Sequence, residues 1–413
     1  MTEHVEPAPH VLRNRGVLGI GLASLLSDSG HEMATAALPG FLRSISAPAA
    51  ALGAIEGVAD STLSASKAAG GIAADRPNVE RKEVAAGGYA ITALGHGAFA
   101  LANAWPLVAV ARAISWAARG GKAPARDALL AGSVPQRQLG RAFGVERAMD
   151  SLGAVVGPAL AAPLIVLVGY RWLFGISVLP GLAAALAVLL LVREAPRLVA
   201  ARGAVASSMT ELLKAPGPYR RLVFGVGLYG LGVGLYGLGN FSATLLILQA
   251  TDLLHRSGRS LEEATAIAVL LYAAHNAANS LAAYPAGAVA DRIGRRRTLV
   301  GGFVLFGVAC VLFALAPTNI VLLGLLFVAV GASTALVETG EGSYAAELLH
   351  DSVRGRGFGL LGLVDGVGDL VSSVLVGILW TVTNPASGFA YAAVLAFAGA
   401  LILRRDQRRA PRL

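Results

Sequence analysis

Gly71-Ile72-Ala73-Ala74-Asp75-Arg76 and Gly287-Ala288-Val289-Ala290-Asp291-Arg292 are two copies of one pattern, a glycine followed at fixed distance by an Asp-Arg pair. A second pattern travels with them. Gly140-Arg141-Ala142-Phe143-Gly144, with Asp150 six residues on, returns as Gly355-Arg356-Gly357-Phe358-Gly359 with Asp365. The two offsets agree to within one residue, so the 413 residues are two related halves in tandem. Each half keeps a charged cluster in a chain that is otherwise mostly apolar, and that combination calls for a membrane.

Hydrophobic residues make up 55% of the chain and charged ones 14%, and mean hydropathy is +0.65. A soluble domain carries about 25% charge. Apolar runs cover 16–38, 50–73, 83–101, 106–131, 141–167, 173–192, 221–249, 262–288, 298–316, 319–345, 356–380 and 386–403. Runs of roughly 18 residues or more are long enough to cross about 30 Å of hydrocarbon as helices. Barrel strands would alternate over about ten residues instead. The expected fold is an all-α membrane protein of twelve transmembrane helices, arranged as two pseudo-symmetric six-helix bundles. The 51 glycines fit this class, because small residues let membrane helices approach closely. The single cysteine, Cys310, lies in an apolar run and reads as packing.

The net charge of +9 is a topology signal rather than a nucleic-acid footprint. With twelve spans, one side receives Arg13, Arg15, Arg81, Lys82, Arg292, Arg295, Arg296, Arg297 and the tail arginines from Arg404 to Arg412. The other side receives Arg43, Arg171, Arg256 and Arg259. Lys/Arg asymmetry sets orientation, so both termini are expected in the cytoplasm and the protein in a bacterial inner (plasma) membrane. Anionic lipid headgroups would reinforce that bias. Segment 193–220, with Pro196, Pro216 and Pro218, is the one long connection on that side. It divides the chain into bundles 1–192 and 221–413. Six spans per half give both halves one orientation, and substrate then sits between them near the bilayer midplane.

Gly287-Ala-Val-Ala-Asp291-Arg292-Ile-Gly294-Arg295-Arg296 resembles the cytoplasmic loop signature of the major facilitator superfamily, G-x-x-x-D-R-x-G-R-[RK]. In the first-half copy Gly71, Asp75 and Arg76 match, Asn78 replaces the glycine, and Arg81-Lys82 comes two residues late. Arg112 matches the family's fourth-helix arginine, with Trp116 where a glycine is expected and Gly120-Gly121 a turn further on. Gly144-x8-Gly153-x3-Gly157-Pro158 resembles the fifth-helix antiporter signature, its closing glycines replaced by Ala161-Ala162. The resemblance implies a single-chain, proton-driven exporter. It also implies a cavity lined by the first, fourth, seventh and tenth spans.

The loop signature has a physical meaning of its own. Asp75 ends the second span where the helix starting near Gly355 presents its N-terminus. Asp291 faces the helix starting near Gly140 in the same way. A carboxylate there accepts backbone N–H bonds and meets the positive end of the helix dipole. Gly71, Asp75, Arg76, Gly287, Asp291 and Arg292 are therefore expected to form two closing latches, the imperfect one at Asp75 being the weaker. A basic loop that merely orients the helices is the plainer alternative. Gly153 and Gly157 form a small-xxx-small face and Pro158 bends the helix. That face reads either as ordinary packing or as a rocking seam.

A charge at mid-span costs about 2.5–3.5 kcal/mol, so each needs a partner or a role. The first span contains Asp28 and Glu32, four residues apart on one helical face. At their depth Arg112 is the expected partner of Glu32, and proton coupling through Asp28, Glu32 and Arg112 is the expected role. Burial favours a protonated carboxylate and a neighbouring arginine favours the ionised form. A static ion pair fixing helix register is the alternative. Glu56 and Asp60 share a face of the second span, and Asp150 and Asp365 are mid-span counterparts under the repeat. His31, Arg119, Tyr229, Tyr236, Asn240 and Glu338 are the expected substrate-cavity residues.

A metal site is not expected. Residues 31–33 point in different directions, and there is no Cys pair or His tract. No phosphate-binding G-x-x-x-x-G-K-[ST] loop is present, so ATP is not the energy source. No nucleophile–base pair marks an enzyme. The expected function is secondary active transport, proton-coupled antiport of a small organic compound without a cofactor, the partners being substrate, protons and the lipid bilayer. An importer of a small metabolite, either uniporter or proton symporter, is the alternative, with a divalent-metal transporter ranked behind it.

Overall fold

The computed structural model describes residues 13–74, 80–135, 138–194, 233–316, 318–348 and 354–405. Among these the chain is helical, with no strand. The first half contains α1 (Arg15–Ser44), α2 (Ala49–Ala74), α3 (Arg81–Gly97, prolonged by a 3-10 turn Ala98–Leu101) and α4 (Trp105–Gly132). The helical stretch Leu139–Leu191 then breaks at Gly169, whose φ of +76° is left-handed backbone that a glycine adopts without strain. It therefore forms two helices, α5 (139–168) and α6 (170–191).

The second half contains α7 (233–237), α8 (Ala243–Arg256), α9 (Leu261–Ile293), α10 (Arg295–Ala314), α11 (Ile320–Leu348), α12 (Arg354–Val382) and α13 (Pro385–Arg405). Among the described residues, six stretches are long and apolar enough to cross a membrane on length and composition alone: Arg81–Leu101, Ala142–Leu191, Leu261–Ala290, Arg295–Ala314, Ile320–Glu341 and Pro385–Arg404. Helices α1, α2 and α4 also fall on predicted apolar runs, and they carry the buried charges described below.

Local signals set the helix starts. Asn14 caps α1 by accepting from the amides of Gly16 and Val17, and its own amide donates to the Ser133 carbonyl at the end of α4. Ser260 and Glu263 form a reciprocal capping box at the start of α9. The carboxylate of Glu194 accepts from the amides of Arg81 and Lys82, pinning the end of α6 to the start of α3.

The run 221–249 was expected to be one span. Its described part is instead broken, with α7 and α8 separated by 238–242. Backbone groups freed by such a break must be satisfied within the protein. Ser372 on α12 donates its hydroxyl to the Asn240 carbonyl at 2.8 Å, and Ser373 accepts from the Ser242 amide at 3.1 Å.

The bundle has two ends. One carries Arg15, Leu191, Arg295 and Arg405, and is called here the terminal end. The other, distal end carries the turns at 45–48, Gly169 and 257–260. One apolar core joins both halves, with Leu38, Phe41 and Phe174 of the first packed in a cluster with Leu245, Phe303 and Phe389 of the second. A second core, including Val17, Ile20, Tyr89, Leu130 and Val188, belongs to the first half alone.

Three polar contacts between halves lie at the distal end: Arg43–Asp252 at 2.9 Å, Tyr170–Thr265 at 2.9 Å, and the Ala50 amide to the Thr381 hydroxyl at 2.9 Å. The halves also meet at mid-depth, in the site described below. Along the seam between α2 and α12, a Cβ on Gly53 would strike the Ser373 carbonyl, and one on Gly57 would lie 2.9 Å from Leu370.

Candidate functional site

The site grows from the acidic turn of α1. Asp28 lies 13 residues into this helix, about 20 Å along it at 1.5 Å per residue. Its carboxylate accepts from Arg119 of α4 at 2.7 Å. Asp28 is buried, while the Arg119 side chain keeps 26% of its surface exposed. Asp150 of α5 is close enough to interact electrostatically with both. Two carboxylates therefore share the surroundings of one guanidinium at mid-depth.

Glu32, one turn along α1, does not pair with Arg112 as its sequence depth suggested. Arg112 is fully buried and donates to Glu56 of α2 at 2.9 Å and to the Thr35 hydroxyl at 2.8 Å. Its guanidinium lies 3.6 Å from the centroid of the Trp116 ring. The Trp116 indole in turn donates to Asp60 at 3.1 Å. The correction has a simple cause: α2 and α4 pack side by side, so Glu56 and Arg112 meet at the same level within the first half. The tryptophan that departs from the family's glycine supplies the flat face on which the arginine rests.

His31 also departs from expectation. It is buried between rings rather than in a cavity, with centroids 4.6 Å from Trp116 and 5.2 Å from His96. Its Nε2 approaches Glu32 at 3.4 Å and its Nδ1 approaches the Thr35 hydroxyl at 3.4 Å. A continuous polar chain thus runs Glu56–Arg112–Thr35–His31–Glu32 through the first half. At its end, Glu32 faces the Tyr272 hydroxyl of α9, across the boundary between halves. One turn further, the Asn276 amide donates to the Ala154 carbonyl of α5 at 2.8 Å. Tyr272 and Asn276 escaped the sequence reading, since a mid-span Tyr and Asn four apart also suit ordinary packing.

The glycines of α5 explain how the acids are held. A Cβ on Gly153 would sit 2.6 Å from the Leu25 carbonyl and 2.9 Å from Asp28 Cβ. A Cβ on Gly157 would sit 2.5 Å from the Ser29 carbonyl and 2.8 Å from Glu32 Cβ. The antiporter-like face is therefore a seam between α1 and α5 inside one half, not a rocking seam between halves. Pro158 lies within the same continuous helix.

Tyr236 and Asn240 belong to the second-half interior. The Tyr236 ring stacks on Phe303 at 4.1 Å and its hydroxyl donates to Asn240 at 3.3 Å. Glu338 on α11 is exposed, and Arg147 of α5 acts on it electrostatically across the boundary. Tyr229, Asp75 and Arg76 lie outside the described residues. Gly71 lies near the end of α2, and Gly287, Asp291 and Arg292 lie in the last turns of α9. The helices expected to receive the two latch carboxylates begin at Leu139 and Arg354. Arg126 near the end of α4 stays inside the first half, bound to Glu146 at 2.9 Å and to Asp127 at 2.9 Å.

The fold and these buried charges define a membrane transporter. The sequence profile described as Major Facilitator Superfamily matches residues 20–258 and 231–413, and the chain belongs to that superfamily. An uncharacterised MFS-type transporter of Methanocaldococcus jannaschii is 26% identical over 392 residues, 94% of each chain. An uncharacterised protein of Mycobacterium tuberculosis is 27% identical over 378 residues, 89% of this chain and 87% of its own. Among solved structures, a mutant form of the nucleoside transporter NupG superimposes with a TM-score of 0.74 at 16% identity, covering 94% of this chain and 99% of that one. The D-xylose-proton symporter gives 0.71 at 17%, covering 94% and 96%. At such identities the likeness is one of fold.

Proposed function

We propose that this chain is a proton-coupled secondary transporter that exports a small organic solute in exchange for protons. The observation that carries the reading is the mid-depth pair Asp28–Arg119 with Glu32 one turn on, at the contact with Tyr272 of the other half. Burial favours a protonated carboxylate, and a nearby guanidinium favours the charged one. A movement of one half that changes either surrounding therefore loads or releases a proton. Arg112 serves as the fixed counter-ion of Glu56, and Arg119 takes the coupling role.

In this reading α1–α6 and α7–α13, with α7 and α8 counted as one broken span, form two six-span bundles joined by 193–220, in the inner membrane with both termini cytoplasmic. The distal contacts then seal the outer face, and Arg119, Arg147 and Glu338 face the route to the cytoplasm. The glycine seam that presses α5 onto the two acidic turns of α1 supports exchange, as its motif resembles that of antiporters. A proton symporter working as an importer is the second reading, supported by the fold shared with the D-xylose-proton symporter.

The test is flux of candidate solutes in proteoliposomes under an imposed pH gradient, for the native chain, Asp28→Asn and Glu32→Gln. Both variants should lose proton-driven flux. Retention of that flux in both would refute the coupling assignment. Solute movement opposite to the proton flux supports export, and movement with it supports symport.

A further inference from the structure

At the terminal end, α10 and α13 enclose a cavity of about 350 Å³ lined by Arg296, Arg297, Val300, Leu403 and Arg404. Arg297 and Arg404 are exposed, and neither forms an ion pair among the described residues. The cavity lies at the first turn of α10, where the helix dipole adds positive potential to the three guanidinium groups. Its chemistry is that of a phosphate receptor with an apolar floor.

What continues from the cavity identifies the occupant. On α10, Arg297 and Val300 head a stripe at helical spacing that runs through Val304, Val308 and Val311, each at least 40% exposed. From Val300 to Val311 the stripe is about 16 Å long, near half of a bilayer's roughly 30 Å hydrocarbon core. On α13, Arg404 heads a second stripe through Leu401 and Phe397, at 48% and 37% exposure. The two helices meet below the cavity, where the Phe397 ring packs over Gly307. A basic, phosphate-sized hollow therefore opens onto two apolar tracks one leaflet deep.

We propose that this cleft binds an anionic phospholipid, the headgroup phosphate held by Arg297 and Arg404 and the acyl chains lying along the two stripes. A soluble phosphate would use the arginines alone and touch neither track. The site lies far from the acidic turn of α1 and does not depend on the coupling reading. It places a lipid on the last helix of the second half, beside the end of α9 that carries Asp291.

The experiment uses the full chain purified in an uncharged detergent, with lipid binding measured by native mass spectrometry and thermal shift. The probes are phosphatidylglycerol, phosphatidylcholine with the same acyl chains, and inorganic phosphate. Phosphatidylglycerol should bind at least about tenfold more tightly than phosphatidylcholine, and phosphate should neither bind nor stabilise. At about 1 kcal/mol per interfacial basic residue, Arg297→Gln/Arg404→Gln should weaken phosphatidylglycerol binding about 30-fold. Val300→Trp keeps every arginine and fills the floor, so it should weaken binding too, and it carries the test if the double variant fails to fold. Arg256→Gln at the distal end should leave binding unchanged. Native-like binding in both cleft variants would overturn the proposal, as would an equal loss in Arg256→Gln. Stabilisation by phosphate equal to that by phosphatidylglycerol would overturn the lipid assignment.

Discussion

Gly153 and Gly157 on α5 press against α1 within the first half, whereas Gly53 and Gly57, with the same spacing on α2, press against α12 of the second. Both pairs let a neighbouring backbone approach closer than a side chain allows. The first holds the turns that carry Asp28 and Glu32. The second closes the distal end between halves, where Gly377 of α12 reciprocates with its Cβ position 2.9 Å from the Ala49 carbonyl. One motif thus serves a contact inside one half and a contact between halves, which under the proposed transport cycle would have to part. A spacing of four small residues announces a close approach and says nothing of its lifetime.

This contrast can be broken or sharpened at several places. The largest effect is expected from Arg112→Gln, which leaves the buried Glu56 carboxyl without its partner. Removing one member of a buried pair costs about 3–5 kcal/mol. A large drop in melting temperature is the expected result, and an unchanged one would mean that the first half is not a fixed block. Gly157→Leu should come next. Its side chain meets the Ser29 carbonyl and Glu32 Cβ, and overpacking of this kind costs about 1–3 kcal/mol. Stability and proton-driven flux should fall together, because the seam and the acidic turn are one structure.

Gly53→Ala should separate those two readouts. The melting temperature should change less than in Gly157→Leu, while closure of the distal end is impaired. Disulfide cross-linking in an Ala50→Cys/Thr381→Cys background reports that closure, with Cys310 buried and so a silent background thiol. Undiminished cross-linking would place Gly53 among the permanent contacts. The smallest effect belongs to Arg43→Gln. The Arg43 side chain is 46% exposed, and such pairs contribute about 0.2–1 kcal/mol. Cross-linking should fall by no more than about fivefold, and Arg43→Asp/Asp252→Arg should restore it.

Much of the fold was legible in the sequence. The apolar runs foretold the helices α1–α6 and α9–α13, and the Gly169 break falls between the predicted fifth and sixth runs. The interruption between α7 and α8 was not legible, because its backbone is satisfied by serines of α12, more than 130 residues away. The site was read in part. Asp28 and Glu32 stood out as paired acids in an apolar helix, yet Glu32 was matched to Arg112 by depth alone. Depth gives the level of a side chain and leaves its azimuth open, and azimuth turns Arg112 toward Glu56. The same freedom packs the His31 ring against Trp116 and the Tyr236 ring against Phe303. Each lies on a helix expected to border the central space, but each ring turns into its own half.

The sequence by itself determined the duplication, the membrane class, the positions of most helices and the buried acids, because each depends on local composition and spacing along one chain. Only the tertiary structure decided which arginine answers which carboxylate, which glycine pair joins the halves, and where the basic cleft beside α13 lies. Those outcomes depend on the rotation of one helix against another, and that rotation comes from packing between residues far apart in the chain, such as Arg43 and Asp252 or Ala50 and Thr381.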